Sequence, residues 1–498
     1  MKEYFTKFST ILFLICSVII VTYVLFIPPR PGVADQGDFQ RVLDVTGLKE
    51  KEILAEDRDL VFFKYVKSEY IMTPINPLRF FGIIPTTSMI YPITAAKLLC
   101  RIGGFNFFNT EILAIIYAIM YITALTLCIK WYRPGSKPVI ILNFFLSLFI
   151  LLDGNYLVWF NSLYGEPMMI IGLTLFIASI LNVSNKTRST GNKDIFLVVI
   201  SSFLFLGSKI QCITALPFVI FMIVRTFLLK YSTQYGNKTE KYYGKSFKNA
   251  LIPIILLVFY TLGFFAQINR TCGVDTKYNS VFYGILMDSD NPQRDLQVLG
   301  LSTDMAVEAG KHAYLPENEY KKYAPWSDIT KKEFNLKISN LKIIRFYLKN
   351  PKRLIQGMEY TASQSFTTAN FLGKYKKTDV EEYTYFFSRF TLWSEIRSKY
   401  FPKKLLFIIS YYIIFLIVVF GKYVKAQKNS DKLRIELVLA IATIGIFQFP
   451  MPYLGNGRAD TAKQLFLFNY TFDILIIILV NYMSLSIVNF KNRLRKSD

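Results

Sequence analysis

The chain has 498 residues, of which 52% are apolar, 16% aromatic and only 19% charged, and its mean hydropathy is +0.33. Average soluble proteins are about a quarter charged, and long apolar stretches recur here from residue 8 to residue 487. The composition therefore excludes a soluble enzyme, a secreted disulfide scaffold and a disordered chain, and it indicates a polytopic membrane protein. The 58 Lys and Arg against 35 Asp and Glu do not indicate a nucleic-acid partner, because many of these cations lie in short loops between apolar stretches.

Cysteine and histidine usage restricts the chemistry. The five cysteines are far apart in sequence, so neither a zinc site nor a disulfide framework is predicted. His312 is the one histidine in the chain. If the protein is an enzyme, carboxylates and basic residues must do the work.

The first predicted span covers residues 8–27 and follows Lys2 and Lys7. Its apolar run is too long for a signal peptide and no cleavage pattern follows, so we interpret it as a retained anchor. The further predicted spans are 111–130, 139–155, 166–182, 194–208, 212–230, 249–268, 404–423, 435–453 and 466–487.

Residues 78–104 are apolar but contain prolines, Lys97 and Arg101. If this segment does not cross the membrane, every basic loop falls on one side, as expected for cytoplasmic loops. We therefore predict a surface helix on the outer face and place both termini in the cytoplasm. The composition is rich in Lys, Ile and Asn, as in proteins encoded by AT-rich bacterial genomes. We therefore expect the membrane to be a bacterial plasma membrane.

The predicted fold is an all-α polytopic membrane protein of about ten transmembrane helices. Residues 1–268 form an N-terminal membrane module, whose first outer loop and surface helix span 28–110. Residues 269–403 form a mostly helical extracytoplasmic insertion, too long for a connector, with helical patterning at 327–349 and a break at Pro351. Residues 404–498 form the C-terminal membrane helices.

Asp35 and Asp38 follow the first span closely. Two nearby carboxylates raise the pKa of one of them, which suits general acid or base catalysis. Alternatively, Asp35 caps a helix that begins near Phe39. The position of the pair, close to the outer surface, favours a role at a lipid-linked headgroup.

Two further candidates lie at the outer ends of spans. Tyr164 and Glu166 precede a helix that Pro167 begins, where a carboxylate is either functional or a favourable first-turn residue. Lys209 interrupts the apolar run 195–229. It either extends towards the interface or binds a lipid phosphate.

The last outer loop and the start of the insertion supply the other candidates. Arg458 and Lys463 flank Asp460 after two glycines, a pattern that can clamp a phosphate or form a solvated loop. Arg270 is predicted at the height of a lipid phosphate, unless it belongs to an interfacial belt. The aromatic and amide side chains that follow are Tyr278, Asn279 and Tyr283.

The plan resembles the GT-C superfamily of membrane glycosyltransferases, which transfer sugars from polyprenyl-phosphate carriers on the outer face. Three features match in order over roughly the first half of the chain: the acidic motif of Asp35 and Asp38, a surface helix beginning at Tyr91-Pro92, and the tip Gly207-Ser208-Lys209. One departure is Ile93, where the superfamily usually has a second proline.

Short motifs also resemble the WsfD-like bacterial hexose transferases of S-layer or cell-wall glycan assembly. The similar stretches are 161–167, 278–284, 458–460 and 465–469.

The resemblance implies an inverting hexosyltransferase that takes a hexose from a polyprenyl-phosphate donor and passes it to a cell-surface glycan or a lipid-linked acceptor. Asp38, or else Asp35, is then the base. The phosphate ligands implied are Lys209, Arg270, Arg458 and Lys463. The residues implied to bind sugar or acceptor are Glu166, Tyr164, Tyr278, Asn279, Tyr283 and Asp460.

No cofactor is required by this chemistry, and no pattern indicates a metal, although a divalent cation is compatible with it. The expected partners are the lipid-linked donor, the acceptor and the bilayer, with no nucleic acid. A flippase or a polysaccharide polymerase or ligase is the alternative. A flippase needs charged residues along a path through the bilayer, and the predicted spans contain almost none at their centres. A scaffold that presents the 269–403 segment would leave Asp35 and Asp38 without a role.

Overall fold

The computed structural model describes residues 2–51, 62–132, 134, 136–185, 190–235 and 240–497. The helices of the N-terminal half are α1 Lys2–Leu25, α2 Gln40–Thr46, α3 Pro77–Phe80, α4 Ile90–Ile102, α5 Thr110–Trp131, α6 Lys137–Leu151, α7 Gly154–Leu157, α8 Glu166–Asn185, α9 Asn192–Leu206, α10 Leu216–Tyr235 and α11 Glu240–Ser280. The helices of the C-terminal half are α12 Pro292–Leu299, α13 Asp328–Thr330, α14 Asn340–Lys349, α15 Pro351–Ser363, α16 Leu392–Tyr400, α17 Leu405–Lys425, α18 Asn429–Gln448, α19 Met451–Asn456, α20 Thr461–Gln464 and α21 Phe466–Ser497.

The predicted all-α polytopic architecture is confirmed, but fewer helices are long enough to cross a bilayer than the ten predicted. Among the described residues, eight helices are long and apolar enough, and a ninth span results if α6 and the following segment to Phe160 count as one. That pair is bent by 53°, around residues 152–153. The predicted span 194–208 is α9, which has only 15 residues and a length of about 22 Å.

The helices form a bundle around α8, which packs against α5, α9, α10, α18 and α21. This position explains why α8 is apolar on all sides and almost wholly buried. We call the end of the bundle that carries Glu166 and the first loop the outer end. Helix α9 runs back along α8, so that Lys209, just after α9, lies beside Glu166.

The first outer loop folds into a small antiparallel sheet beside α4. Its strands, in the order β1-β2-β3, are β1 Leu48–Lys49, β2 Glu69–Met72 and β3 Phe108–Asn109, with Leu48 opposite Met72 and Tyr70 opposite Phe108.

Helix α4 corresponds to the predicted surface helix. It buries Ile93 and Ala96 but exposes Leu98, Leu99 and Ile102 on its other side, as expected for a helix that lies on a bilayer.

Helix α11 has 41 residues and runs without interruption through residue 269, where the insertion was predicted to begin. Further along, the predicted break is confirmed, because α14 ends at Lys349 and α15 begins at Pro351.

The later part of the insertion is bonded to the first outer loop. Gly373 N–H donates to the carbonyl of Phe63 at 2.8 Å, and the carbonyl of Gly373 accepts from Ala34 N–H at 3.0 Å. A side chain at Gly373 would meet the carbonyl of Lys64 at 1.7 Å, so this close approach requires glycine. The insertion therefore holds the segment that precedes Asp35 in place.

A buried ion pair joins the insertion to the membrane helices. Arg397 of α16 pairs with Asp473 of α21, and both side chains are wholly buried. The guanidinium also donates to the hydroxyls of Tyr156 at 2.6 Å and Thr368 at 2.9 Å. A second ion pair joins Arg225 and Glu436 at 2.7 Å. The two pairs provide partners for Arg225, Glu436 and Asp473, which lie inside predicted spans. Each charge is matched by its partner, so these residues serve helix packing.

Candidate functional site

A cleft at the outer end brings together three segments that are far apart in sequence. It holds about 520 Å³ of space. Its polar lining comes from Asp38 and Arg41 at the start of α2, from Glu166 at the start of α8, and from Lys209. Its apolar lining includes Phe264 and Ile268 of α11, Met89 and Leu163. The cleft therefore presents charged side chains next to an apolar wall.

Asp38 is held between two cations. One carboxylate oxygen pairs with Arg41, and the other pairs with Lys463, which comes from α20. Although burial opposes the effect, the charges of Arg41, Lys463 and Lys209 hold the pKa of Asp38 well below its usual range. Asp38 is thus ionised but is a weak base in this state.

Asp35 shapes the turn that presents Asp38. It is buried, and its Oδ1 accepts from the N–H groups of Gly37 at 2.8 Å and Phe39 at 3.2 Å. Gly37 has a φ of +100°, a conformation that favours glycine. Burial raises the pKa of Asp35, although the two N–H groups oppose the shift. Asp35 thus does not cap α2, whose N-cap is Phe39 without a side-chain cap bond, but it stabilises the turn that carries Asp38.

Glu166 and Lys209 pair with each other. Glu166 is wholly buried; its Oε1 accepts from Lys209 Nζ, while no described residue bonds to its Oε2. A side chain at Gly165 would meet the carbonyl of Ser208 at 2.8 Å. The glycine therefore lets the two segments approach closely enough for this pair to form.

Tyr164 ties the acidic turn to the last outer loop. Its hydroxyl donates to the carbonyl of Ala34 at 3.0 Å and accepts from Gln36 N–H at 3.1 Å. Lys463 Nζ lies 4.4 Å from the centre of its ring, within the range of a cation–π contact. One aromatic side chain thus positions both the turn before Asp38 and the cation that pairs with Asp38.

The two cations of the last outer loop separate. Lys463 reaches Asp38, whereas Arg458 pairs with Asp288 and lies 4.6 Å from the ring centre of Tyr360. Asp460 is exposed, has a φ of +53° and accepts from Gln36 Nε2 at 3.1 Å. Of the predicted phosphate clamp, only Lys463 is directed at the cleft.

The candidates at the start of the insertion brace the outer end instead of lining the cleft. Tyr278 is wholly buried against Phe282, with ring centres 4.3 Å apart. Asn279 donates to Asn456 at 2.8 Å and accepts from Ala313 N–H at 2.6 Å. The carbonyl of Tyr283 accepts from the N–H of Arg458 at 3.2 Å. The side chain of Arg270 lies outside the described residues.

Lys97 of the surface helix has a structural role. It is buried and donates to the carbonyls of Thr46, Gly47 and Thr73 at 2.7–3.1 Å. Burial lowers its pKa to about 8. The side chain thus holds the end of α2 against α4.

Two residues of the site escape sequence reasoning. Arg41 is one turn after Asp38, a spacing that places both on one face of α2. Asp275 lies on α11 two turns past the apolar part; its Oδ1 is buried, and no described residue bonds to it. Burial raises the pKa of Asp275 to about 6, an effect that Arg41 opposes and Asp38 reinforces. Gly273 is the one residue between 269 and 275 that disfavours a helix. The sequence therefore contained a signal that the helix continues past residue 269 and carries Asp275.

No group of three or more His, Cys, Asp or Glu side chains that could hold a metal ion occurs in the part of the chain that the structure describes. The cationic side chains at the cleft are Arg41, Lys209 and Lys463.

Comparison with known proteins assigns a family. No curated protein and no solved structure matches the chain. The model of the YfdI N-terminal transmembrane domain matches residues 1–497. YfdI proteins are a family of GT-C-like membrane glycosyltransferases, and the resemblance to WsfD-like proteins is not confirmed. Because the match covers almost every residue, the chain belongs to the YfdI N-terminal transmembrane domain family.

Proposed function

We propose that the protein transfers a hexose from a polyprenyl-phosphate donor to a cell-surface glycan or a lipid-linked acceptor on the outer face of a bacterial plasma membrane. The observation that carries the proposal is the cleft in which Asp38 lies between Arg41 and Lys463, next to Lys209 and beside an apolar wall. Family membership supports the class of reaction.

The cations of the cleft suit a phosphate. Arg41, Lys209 and Lys463 now pair with the carboxylates of Asp38 and Glu166. The phosphodiester of the donor competes with these carboxylates for the same cations. The apolar side chains of Phe264 and Ile268 form one wall of the cleft on α11. The first part of the polyprenyl tail lies along this surface.

Donor binding activates the base in this proposal. When the phosphate recruits Arg41 and Lys463, Asp38 loses the charges that keep its pKa low, and its basicity returns towards that of an ordinary carboxylate. Asp38 then takes the proton of the acceptor hydroxyl while the hydroxyl oxygen bonds to C1 of the hexose. The C1–O bond to phosphate breaks, and polyprenyl phosphate leaves with the electron pair, its charge stabilised by the three cations. The configuration at C1 is inverted.

Glu166 and Asp275 complete the polar surroundings. Once Lys209 turns to the phosphate, both carboxylate oxygens of Glu166 are available for hexose or acceptor hydroxyls. Asp275 lies close enough to Asp38 for their charges to interact, and it is the next candidate base if Asp38 is not the base.

The test is turnover by the purified full chain in lipid vesicles. The substrates are polyprenyl-phosphate hexoses of several kinds with extracted cell-wall glycan, and the product measured is free polyprenyl phosphate. We expect Asp38→Asn to lower the rate at least about a hundredfold, the contribution typical of a positioned base. Asp44→Asn is the matched control, because Asp44 lies on α2, shortly after Asp38, but is exposed, and its carboxylate accepts from Gln40 at 2.6 Å.

Each result separates the proposal from its rivals. Full activity of Asp38→Asn alongside an active wild type would place the base elsewhere. A wild type that moves the intact lipid across the bilayer without cleaving the hexose bond would support a flippase. Arg225 pairs with Glu436, and Asp473 of α21 pairs with Arg397. These charges within the spans are bound to protein partners, which argues against a charged path for a flippase.

A further inference from the structure

A second cavity lies inside the helix bundle, away from the cleft. It is formed by α5, α6, α8, α18 and α21 and has a volume of about 260 Å³. No residue lines both the cavity and the cleft. Protein interiors are otherwise packed about as densely as organic crystals, so a space of this size calls for an occupant.

The cavity is long, narrow and mostly apolar. Along α21 its lining runs from Tyr470 to Leu485, a rise of about 22 Å. The aliphatic side chains that line it include Ile177, Leu437, Ile441 and Ile477. Among its polar groups, Asn481 donates to Asn143 at 2.7 Å, and the hydroxyls of Thr174 and Tyr470 bond to each other at 2.6 Å. A hydrocarbon chain matches this lining.

One end of the cavity is closed by hydroxyl groups. Tyr470 lies near the beginning of α21, and its hydroxyl is 3.1 Å from that of Tyr121 and 2.6 Å from that of Thr174. A chain that enters from the opposite end therefore stops at Tyr470, after roughly 22 Å. The leaflet of a bilayer is about 15 Å deep in its hydrocarbon part. The cavity thus accepts one acyl chain of ordinary length but not a long polyprenyl tail.

The other end carries a positive charge. Arg434, at the start of α18, lines the cavity beside Tyr132 and Leu485, at the end of the bundle whose loops are rich in lysine. Arg434 donates to two neutral groups, Ser184 Oγ at 3.1 Å and Asn185 Oδ1 at 2.6 Å. The carboxylate of Asp431 lies 4.0 Å away and is half exposed. The guanidinium is therefore positioned by neutral partners and can attract an anion.

We propose that this cavity binds one acyl chain of an acidic glycerophospholipid from the leaflet opposite the cleft, with the lipid phosphate at Arg434. Charge complementarity supports this occupant, because the lysine-rich loops at the same end attract acidic headgroups. Val438, Ile474 and Ile478 line the cavity and are half-buried, so the acyl chain contacts both α18 and α21. The bound acyl chain fills space that the five helices leave between them. This lipid binding does not depend on the proposed transferase reaction.

The test uses the full chain in vesicles that contain phosphatidylglycerol with a photoreactive group in one acyl chain. We expect crosslinks to peptides of α18 and α21, identified by mass spectrometry. Unlabelled phosphatidylglycerol should compete about tenfold better than phosphatidylcholine. This factor corresponds to the lower end of the free energy of a hydrogen bond to a charged group. Arg434→Gln should abolish this preference, whereas Lys432→Gln, which removes a neighbouring charge that does not line the cavity, should keep it.

A second variant fills the cavity. Ile477→Trp should lower the crosslinking yield at least about tenfold, because the indole occupies the path of the chain. Ile417→Trp is its control, since Ile417 is 66% exposed on α17. If Ile477→Trp does not fold, the competition on wild-type protein still decides. Labelling outside the cavity, equal competition by phosphatidylcholine, or stronger competition by polyprenyl phosphate would each overturn the proposal.

Discussion

Replacement of Lys463 by glutamine tests whether Asp38 is the base that donor binding activates. Lys463 is one of the two cations that pair with Asp38, and only 8% of its side chain is exposed. At an effective dielectric constant of about 20, two unit charges 4 Å apart attract by about 4 kcal/mol. A quarter of the Asp38 side chain is exposed and Arg41 remains as a partner, so the net loss is smaller, about 1–2 kcal/mol.

That loss corresponds to a rise of about one unit in the pKa of Asp38, because one unit equals about 1.4 kcal/mol. The acidic limb of kcat/KM reports the base of the free enzyme. In the wild type the limb lies at low pH, since the pKa of Asp38 is lowered, and in Lys463→Gln it should move to higher pH by about one unit. The KM for the donor should rise about tenfold, because the phosphate loses one charged ligand.

The assay is the release of polyprenyl phosphate between pH 2 and pH 8, a range that includes the low pH at which the limb is expected, with Lys332→Gln as control. Lys332 is exposed on the insertion. Its replacement by glutamine removes the same charge as Lys463→Gln, but at a distance from the cleft. A weaker KM with an unmoved acidic limb would show that Lys463 binds phosphate but that Asp38 is not the base. Unchanged kinetics in both respects would refute the assignment of this cleft to the donor.

Three further substitutions test the surroundings of the site. Gly165→Ala should lower kcat about a hundredfold at normal expression, since its methyl group would push the carbonyl of Ser208 away and displace the neighbouring lysine; full activity would show that the close approach is unnecessary. The pKa of Asp275 is about 6, above its ordinary value of 3.8. The folded state therefore loses stability as the pH rises from about 4 to about 6. Asp275→Asn should flatten the melting temperature measured over that range, and an unchanged slope would contradict the burial of a titrating carboxyl. Arg397→Gln should destabilise the protein by about 3–5 kcal/mol, because it leaves the carboxylate of Asp473 buried without its partner; a denaturation midpoint within error of wild type would count against this estimate.

Part of the cleft could be predicted because its residues stand out against an apolar background. Asp38, Glu166 and Lys209 are charged residues at the ends of apolar runs, and the order of the spans predicts that all three lie on one side. The structure brings these three together. Which partner each side chain selects depends on distances of a few ångströms between segments that are hundreds of residues apart, and no periodic pattern encodes such distances.

The outcomes for Arg458 and Lys463 illustrate this limit. The two cations are five residues apart and look equivalent in sequence. The αL conformation of Asp460 and the start of α20 turn them in different directions, so that one pairs with Asp288 and the other with Asp38. Likewise, the sequence shows Lys97 only as a cation within an apolar segment, and the structure reveals that the first outer loop covers it with carbonyl groups.

By itself the sequence determined the class of the protein, because the transfer of apolar side chains from water to hydrocarbon depends on composition and length alone. It also located the starts of several spans to within two residues, among them those of α5, α8, α17 and α21, since capping residues and prolines act locally. Only the tertiary structure decided that α11 continues to Ser280 and that five helices leave a cavity beside Arg434. These features follow from how helices of given lengths pack around α8, and packing is a property of the whole bundle and of no single segment.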